Sequence, residues 1–311
     1  MALFYICPLL LEEAIEIQSL HFLAQKAMEG YVTGIHRSPL RGHSVEFAEH
    51  RPYNEGENIK NLDWKLLAKT EKKYIKEYVE ETNLKCHLFI DVSKSMYYPE
   101  NHAKLKFSVL AASSLLYTMQ KQRDAFRISI YDDEIVRWES EIRSTRSHLN
   151  VIISQLEQYW SKNNPTTNSK QLFSYQHFIK GIKKRNVVVF ISDLLFPNGS
   201  DAYNEFWNTL SFLHYLKCEV VVLHVNDAQS ELELNVNLGD QPLKFVDIET
   251  NEVVKLTPEE IASEYQNTEQ GRRKKIREKC LELGISFVDC NVSQPIENVL
   301  NAFYTKRNSR S

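Results

Sequence analysis

Three short, almost unbroken apolar runs constrain this chain more than any other feature. Cys86-His87-Leu88-Phe89-Ile90, Asn186 to Ile191 and Val220 to Val225 have the length of strands and read as buried β-structure. Between them lie segments whose apolar residues recur at helical spacing, notably Ala103 to Met119. Strands alternating with helices in this way imply an α/β fold, a doubly wound, mostly parallel sheet with helices on both faces.

A pass along the chain extends the pattern. Leu11 to Glu29 reads as a helix closed by Gly30. A turn-rich segment follows to about Thr70, and a strand is expected over 73–79. Strands are then expected at 86–91, 126–131, 186–192, 219–225 and 285–290, with an edge strand at 135–139. Helices are expected at 103–120, near 146–160 and 170–183, and at 202–215, 258–283 and 294–306. Thr257-Pro258-Glu259-Glu260 opens the helix at 258 as an N-cap, a first-turn proline and a capping-box acid. Gly284 closes it. The expected organisation is an amino-terminal extension over 1–82 and an α/β domain over 83–311, with a β-rich insertion near 230–256.

Asp91-Val92-Ser93-Lys94-Ser95 stands between the first apolar run and the helix at 103. The carboxyl end of a central strand is where open α/β sheets place their ligands. In extended backbone, residues two apart point to the same side, so Asp91, Ser93 and Ser95 can converge. One anionic oxygen and two hydroxyls suit a hard, small cation such as Mg²⁺, with waters filling the octahedron. So few charges leave the ion under-neutralised and open to a carboxylate from another molecule. The plainer reading is that Ser93 or Ser95 caps the following helix.

The second long run ends in Ser192-Asp193. Neighbouring parallel strands would bring Asp91 and Asp193 to one edge, where Asp193 either binds the ion, holds one of its waters or caps the next turn. Thr166 and Thr167, in the polar stretch 161–170, are candidates for a further ligand. Catalytic signatures are missing: the nine glycines form no phosphate loop, and no Gly-x-Ser-x-Gly elbow occurs. His36 and His43 flank a glycine-bounded loop and read as structural or solvent-facing. An aspartyl phosphotransferase would want a second acid two residues after Asp91, where this chain has Ser93.

Asp-x-Ser-x-Ser followed by a strand ending in Ser-Asp resembles the metal-ion-dependent adhesion site of von Willebrand factor A-like domains. The segment before it is similar to the signature of the bacterial domain-of-unknown-function-58 family. It reads Gly34-Ile35-His36-Arg37-Ser38, Val45-Glu46-Phe47, Arg51-Pro52-Tyr53-Asn54-Glu55-Gly56, Asn61-Leu62-Asp63-Trp64-Lys65 and Tyr74-Ile75-Lys76-Glu77. Val220 to Val225 followed by Asp227, and Phe245 to Thr250, continue the likeness. Where the family usually has Gly-Asp-Asp and an arginine, this chain has Gly56-Glu57-Asn58-Ile59-Lys60, exchanging a bidentate guanidinium for a point charge.

Our expectation is a non-enzymatic interaction module, cytoplasmic by its odd cysteine count, and the resemblance implies that it is the adaptor of a MoxR-type AAA+ ATPase in maturation or remodelling of protein complexes. Asp91, Ser93, Ser95 and Asp193, with Thr167, would hold Mg²⁺ or another divalent ion, and a client carboxylate would complete its shell. A divalent-metal hydrolase or phosphotransferase using Asp91, and a metal-independent scaffold, remain open. Arg51, Tyr53, Asp63 and Trp64 have two readings. Tyr53 and Trp64 would pin the extension to the sheet while Arg51 and Asp63 satisfy each other, or the four would form a partner surface.

The chain of 311 residues is 42% hydrophobic, 25% charged and carries a net charge of −3, enough apolar content for one large core and no bias toward nucleic acid. Basic runs at Lys183-Lys184-Arg185 and Arg272 to Lys275 read as solvated helix surface. Five cysteines without paired metal spacing are expected to be reduced. The apolar stretch Ala2 to Leu11 is broken by Pro8 and is too short for a membrane span.

Overall fold

The computed structural model describes residues 20–34, 45–53, 63–70, 72–80, 84–98, 101–132, 135–161, 174–196, 201–228, 243–246, 253–256 and 258–308. Residues 37–84 form one compact unit, and the rest of the chain forms another.

In the smaller unit, β1 (Val45–Pro52) and β2 (Tyr74–Glu80) pair antiparallel from Val45↔Glu80 to Pro52↔Tyr74, with an irregularity between Phe47 and Glu49. A short helix, α2 (Trp64–Thr70), lies between them in sequence. Its start is fixed by Asp63, whose Oδ1 accepts the amides of Lys65 at 2.9 Å and Leu66 at 3.1 Å. The sequence led us to expect turns up to about Thr70 and a strand over 73–79, which is β2. Hairpin pairing and one capping carboxylate instead organise the stretch to Thr70.

The larger unit is built on six strands. From edge to edge they are β10 (Ser286–Asn291), β7 (Glu219–Asn226), β6 (Val187–Ser192), β3 (Lys85–Asp91), β4 (Ala125–Tyr131) and β5 (Val136–Glu139). Every pairing is parallel except β4–β5, so the edge strand is the antiparallel one. The unbroken apolar runs follow from burial on both sides. Leu88, Ile90, Val189, Ile191 and Leu223 face one core with α1 (Leu20–Gly34), α3 (Ala103–Lys121), α4 (Arg146–Trp160) and α8 (Ile296–Asn308). Phe89, Val188, Phe190, Val222 and Phe287 face the other with α5 (Tyr175–Ile179), α6 (Ala202–Tyr215) and α7 (Pro258–Glu282). This is the doubly wound, Rossmann-like arrangement. A separate hairpin, β8 (Leu243–Val246) with β9 (Val253–Leu256), falls in the expected insertion.

Helix α3 is buried from Ala103 to Met119, far more than a one-sided helix. Its hydroxyls are accommodated by bonding back along the helix: Ser108 to the Lys104 carbonyl, Ser113 to Val109, Ser114 to Leu110 and Thr118 to Ser114. Helix α7 stops where expected. Gly284 sits at φ 64°, and the Ile285 amide donates to the Cys280 carbonyl at 2.8 Å.

Two helices differ from expectation. Gly30 does not close the first helix, which runs on to Gly34. A glycine costs a helix only about 1 kcal/mol, and core packing by Leu23, Ala24, Ala27 and Met28 holds the element. The helix expected over 170–183 is described only over Tyr175–Ile179. It ends in a turn at Gly181, where φ is 85°. Thr257 and most of the expected start of the first helix lie outside the described residues.

Phe190 joins the core's aromatic cluster to the sheet. Its ring stacks on Phe89 at 4.9 Å and meets Phe206 edge-on at 5.5 Å, with no exposed surface. We expect Phe190→Ala to lower stability by about 3–5 kcal/mol in denaturant titration.

Candidate functional site

The parallel register of β3 with β6, running to Ile90↔Ile191, carries Asp91 and Ser192 out of the sheet side by side at its carboxyl edge. The chain leaving β3 is anchored by the Val92 amide, which donates to the Tyr131 carbonyl at 2.8 Å. It then tightens into a 3₁₀ turn over Lys94–Tyr97. That turn, rather than the extended backbone we expected, brings the hydroxyls together. Ser93 Oγ and Ser95 Oγ lie 3.1 Å apart, both buried. Ser93 stands before the 3₁₀ turn without a side-chain cap bond, and the first amide of helix α3, that of Ala103, donates to Asn101 Oδ1 at 3.0 Å rather than to a serine.

Asp91 is the hub. Its Oδ1 accepts the Ser93 amide at 2.8 Å, and its Oδ2 accepts the Ser192 hydroxyl at 2.6 Å. The Ser192 oxygen in turn accepts the Leu194 amide at 2.9 Å. Ser192 is the residue that sequence reasoning missed. It stood in view beside Asp193, but nothing local indicates that its hydroxyl orients a carboxylate 101 residues away. Burial, and then the nearby Asp193, push the Asp91 carboxyl up to about 6, while the hydrogen bonds from Ser192 and Ser93 pull the other way.

Asp193 reaches the same edge but is already engaged. Its Oδ2 accepts the Lys104 ammonium at 2.8 Å, with the two side chains 1% and 2% exposed. Its Oδ1 accepts the Leu195 amide at 3.2 Å. Leu194, between these turns, adopts φ 53°, and its carbonyl accepts Arg272 Nη1 from α7 at 2.9 Å. Further along the edge, His224 is in register with Ser192 and with Asp289, and Asp289 Oδ1 lies 3.4 Å from its Nδ1.

The donor set fits a small hard cation. Two oxygens adjacent on an octahedral ion with bonds of about 2.1 Å stand about 3.0 Å apart. The Ser93–Ser95 separation of 3.1 Å matches that spacing. With Asp91 they offer one carboxylate and two hydroxyls. Among the described residues, no group of three or more His, Cys, Asp or Glu side chains is placed to hold a metal. Thr166 and Thr167 lie outside the described residues.

The second candidate set is in the smaller unit. Asp63 caps α2, and the Tyr53 amide donates to the Lys73 carbonyl at 3.0 Å while Lys73 Nζ sits 5.8 Å from the Tyr53 ring centroid. Trp64 is 60% exposed. Arg51 belongs to β1, and its side chain lies outside the described residues.

Comparison with known proteins adds a family. A family described as "Protein of unknown function DUF58" matches residues 49–275. The chain belongs to this family. Over 83 residues it is 24% identical to uncharacterized proteins of Mycobacterium bovis and Mycobacterium tuberculosis, covering 27% of this chain and 26% of theirs. The matched stretch thus spans about a quarter of those curated relatives. Among solved structures, the pilus adhesin SpaC from Lactobacillus rhamnosus GG is similar at 12% identity. Its TM-score is 0.39, covering 72% of this chain and 31% of that one. A likeness at that level carries no weight for fold or function.

The raised Asp91 carboxyl has a consequence for stability. The folded state holds this proton to higher pH than the unfolded chain, so stability falls as pH rises from 3.8 to about 6. We expect Asp91→Asn to flatten that loss by about 2–3 kcal/mol, read as the difference between parent and variant in denaturation at pH 4 and pH 7.

Proposed function

We propose that this DUF58-family protein is a non-enzymatic interaction adaptor with a von Willebrand factor A-like domain that recognises a partner carboxylate through a divalent cation. The observation that carries this reading is the convergence of Asp91, Ser93 and Ser95 at the carboxyl edge of β3, with two hydroxyl oxygens at octahedral spacing. Ser192 fixes the orientation of Asp91 Oδ2, and the Ser93 amide fixes Oδ1. When bound, Mg²⁺ would supply an electrophilic position that a carboxylate oxygen fills. Ser93 and Ser95 would add ligands without adding charge, which keeps that position attractive to an anion.

The family resemblance supports a MoxR-type AAA+ ATPase as partner, with a client protein supplying the carboxylate. The exposed Trp64, next to Asp63 in the chain, supports a second contact surface in the smaller unit, to which Tyr53 and the Arg51 guanidinium would add. A cytoplasmic setting is supported by the cysteines: Cys86, Cys280 and Cys290 are buried thiols, and the Cys218 thiol is half-buried. Among the described residues no helix is long and apolar enough to cross a membrane. A metal-independent scaffold is the second reading, favoured by one observation: an ammonium already neutralises Asp193.

Affinity capture from native lysate, with Mg²⁺ and with EDTA, separates the two. We expect a MoxR-type ATPase to be retained with Mg²⁺ and lost with EDTA. Asp91→Ala should lose it under both conditions while its circular dichroism stays native. Equal retention by folded Asp91→Ala would sink the metal bridge and leave the scaffold. Asp91-dependent product formation from a phosphoester substrate would replace both with an enzyme.

A further inference from the structure

Lys104 is the least expected charge in the fold. It occupies the first turn of α3, where the helix dipole opposes a cation, and it is 1% exposed. An ammonium is costly to bury without a partner, and Asp193, on another element and 89 residues away, meets it at 2.8 Å. Asp193 directly follows Ser192, whose hydroxyl donates to Asp91 Oδ2 at 2.6 Å, so the two acids share one edge of the sheet. An unengaged Asp193 would therefore give the edge a second anionic oxygen within reach of the ion held by Asp91. As folded, its Oδ2 faces Lys104 and its Oδ1 closes a backbone turn at Leu195.

We propose that Lys104 withdraws Asp193 from the cation site, so that Asp91 is the charged ligand and a divalent ion is held firmly only once a partner carboxylate joins it. The inference rests on the cation reading given above and names the residue that sets its affinity. With two carboxylates the site would be a standing magnesium centre, and a third anion would gain little by approaching. With one, ion and partner each complete what the other lacks, and neither binds tightly alone. Lys104 thus makes binding a coincidence of two ligands.

The test is calorimetric titration of Mg²⁺ into the full chain, without partner, for the parent, Lys104→Met and Lys104→Met/Asp193→Asn. The double variant keeps the net charge of the pair and leaves no bare carboxylate, so it still decides the test if the single variant does not fold. Lys104→Met is expected to bind Mg²⁺ at least about tenfold more tightly than the parent, because a second carboxylate is released beside the ion. The double variant is expected to match the parent within about threefold, because it loses a group that was not a ligand. Equal affinity of parent and folded Lys104→Met overturns this proposal and leaves the cation reading standing. A tenfold or greater loss in the double variant also overturns it, by showing that Asp193 is a ligand despite its ammonium. No uptake by any of the three, folded Lys104→Met included, overturns this proposal and the cation reading together.

Discussion

A parallel strand buried on both faces must find partners for its last backbone amides as it leaves the sheet. Here the side chains at the strand ends do that work. The Ser93 amide goes to Asp91, the Leu194 amide to Ser192 and the Leu195 amide to Asp193, each bond reaching two residues on. Turns of this kind need small polar side chains with a free oxygen, and the same oxygens are what a cation would seek. On the proposed reading, the edge would serve folding and recognition with one set of atoms. What is left for recognition is what turn formation does not use: the second oxygen of Asp91, shared with Ser192, and the paired hydroxyls of Ser93 and Ser95.

The electrostatics of this edge run against local preference. A lysine in the first turn of a helix, a carboxyl held up to about 6 by burial and a neighbouring acid, and a leucine in left-handed backbone all fall within a few residues of one point. Each costs something by itself. Concentration of such conflicts where strands end is the pattern expected of a place shaped for binding rather than for packing.

Much of the architecture was legible in the sequence because it rests on period and burial. The runs around Phe89, Phe190 and Val222 announce doubly covered strands, and the hydrophobic stripe of α4 announces a one-sided helix. Asp91 and Asp193 were legible as strand-end acids. The Lys104–Asp193 pair was not, since nothing in a sequence couples residues 89 apart. Helix ends were partly hidden too. Arg123 and Lys217 occupy left-handed positions that glycine usually signals, so their turns gave no notice, whereas Gly284 did. Asp63 was visible as a charge but not as a cap, because Trp64–Thr70 is too short a helix to show a period.

The bond from Arg272 to the Leu194 carbonyl ties the longest described helix to the turn that carries Asp193. Arg272 is itself braced by Glu269, which also holds Arg273, so the guanidinium is a stiff strut rather than a loose tether. Hairpin β8–β9 ends two residues before that helix begins. A pull on the hairpin that slid the helix along its axis would be delivered by the strut to a backbone already held in an unfavourable twist. In mechanical terms the edge has a lever: a force-generating partner need not touch the acids in order to disturb them.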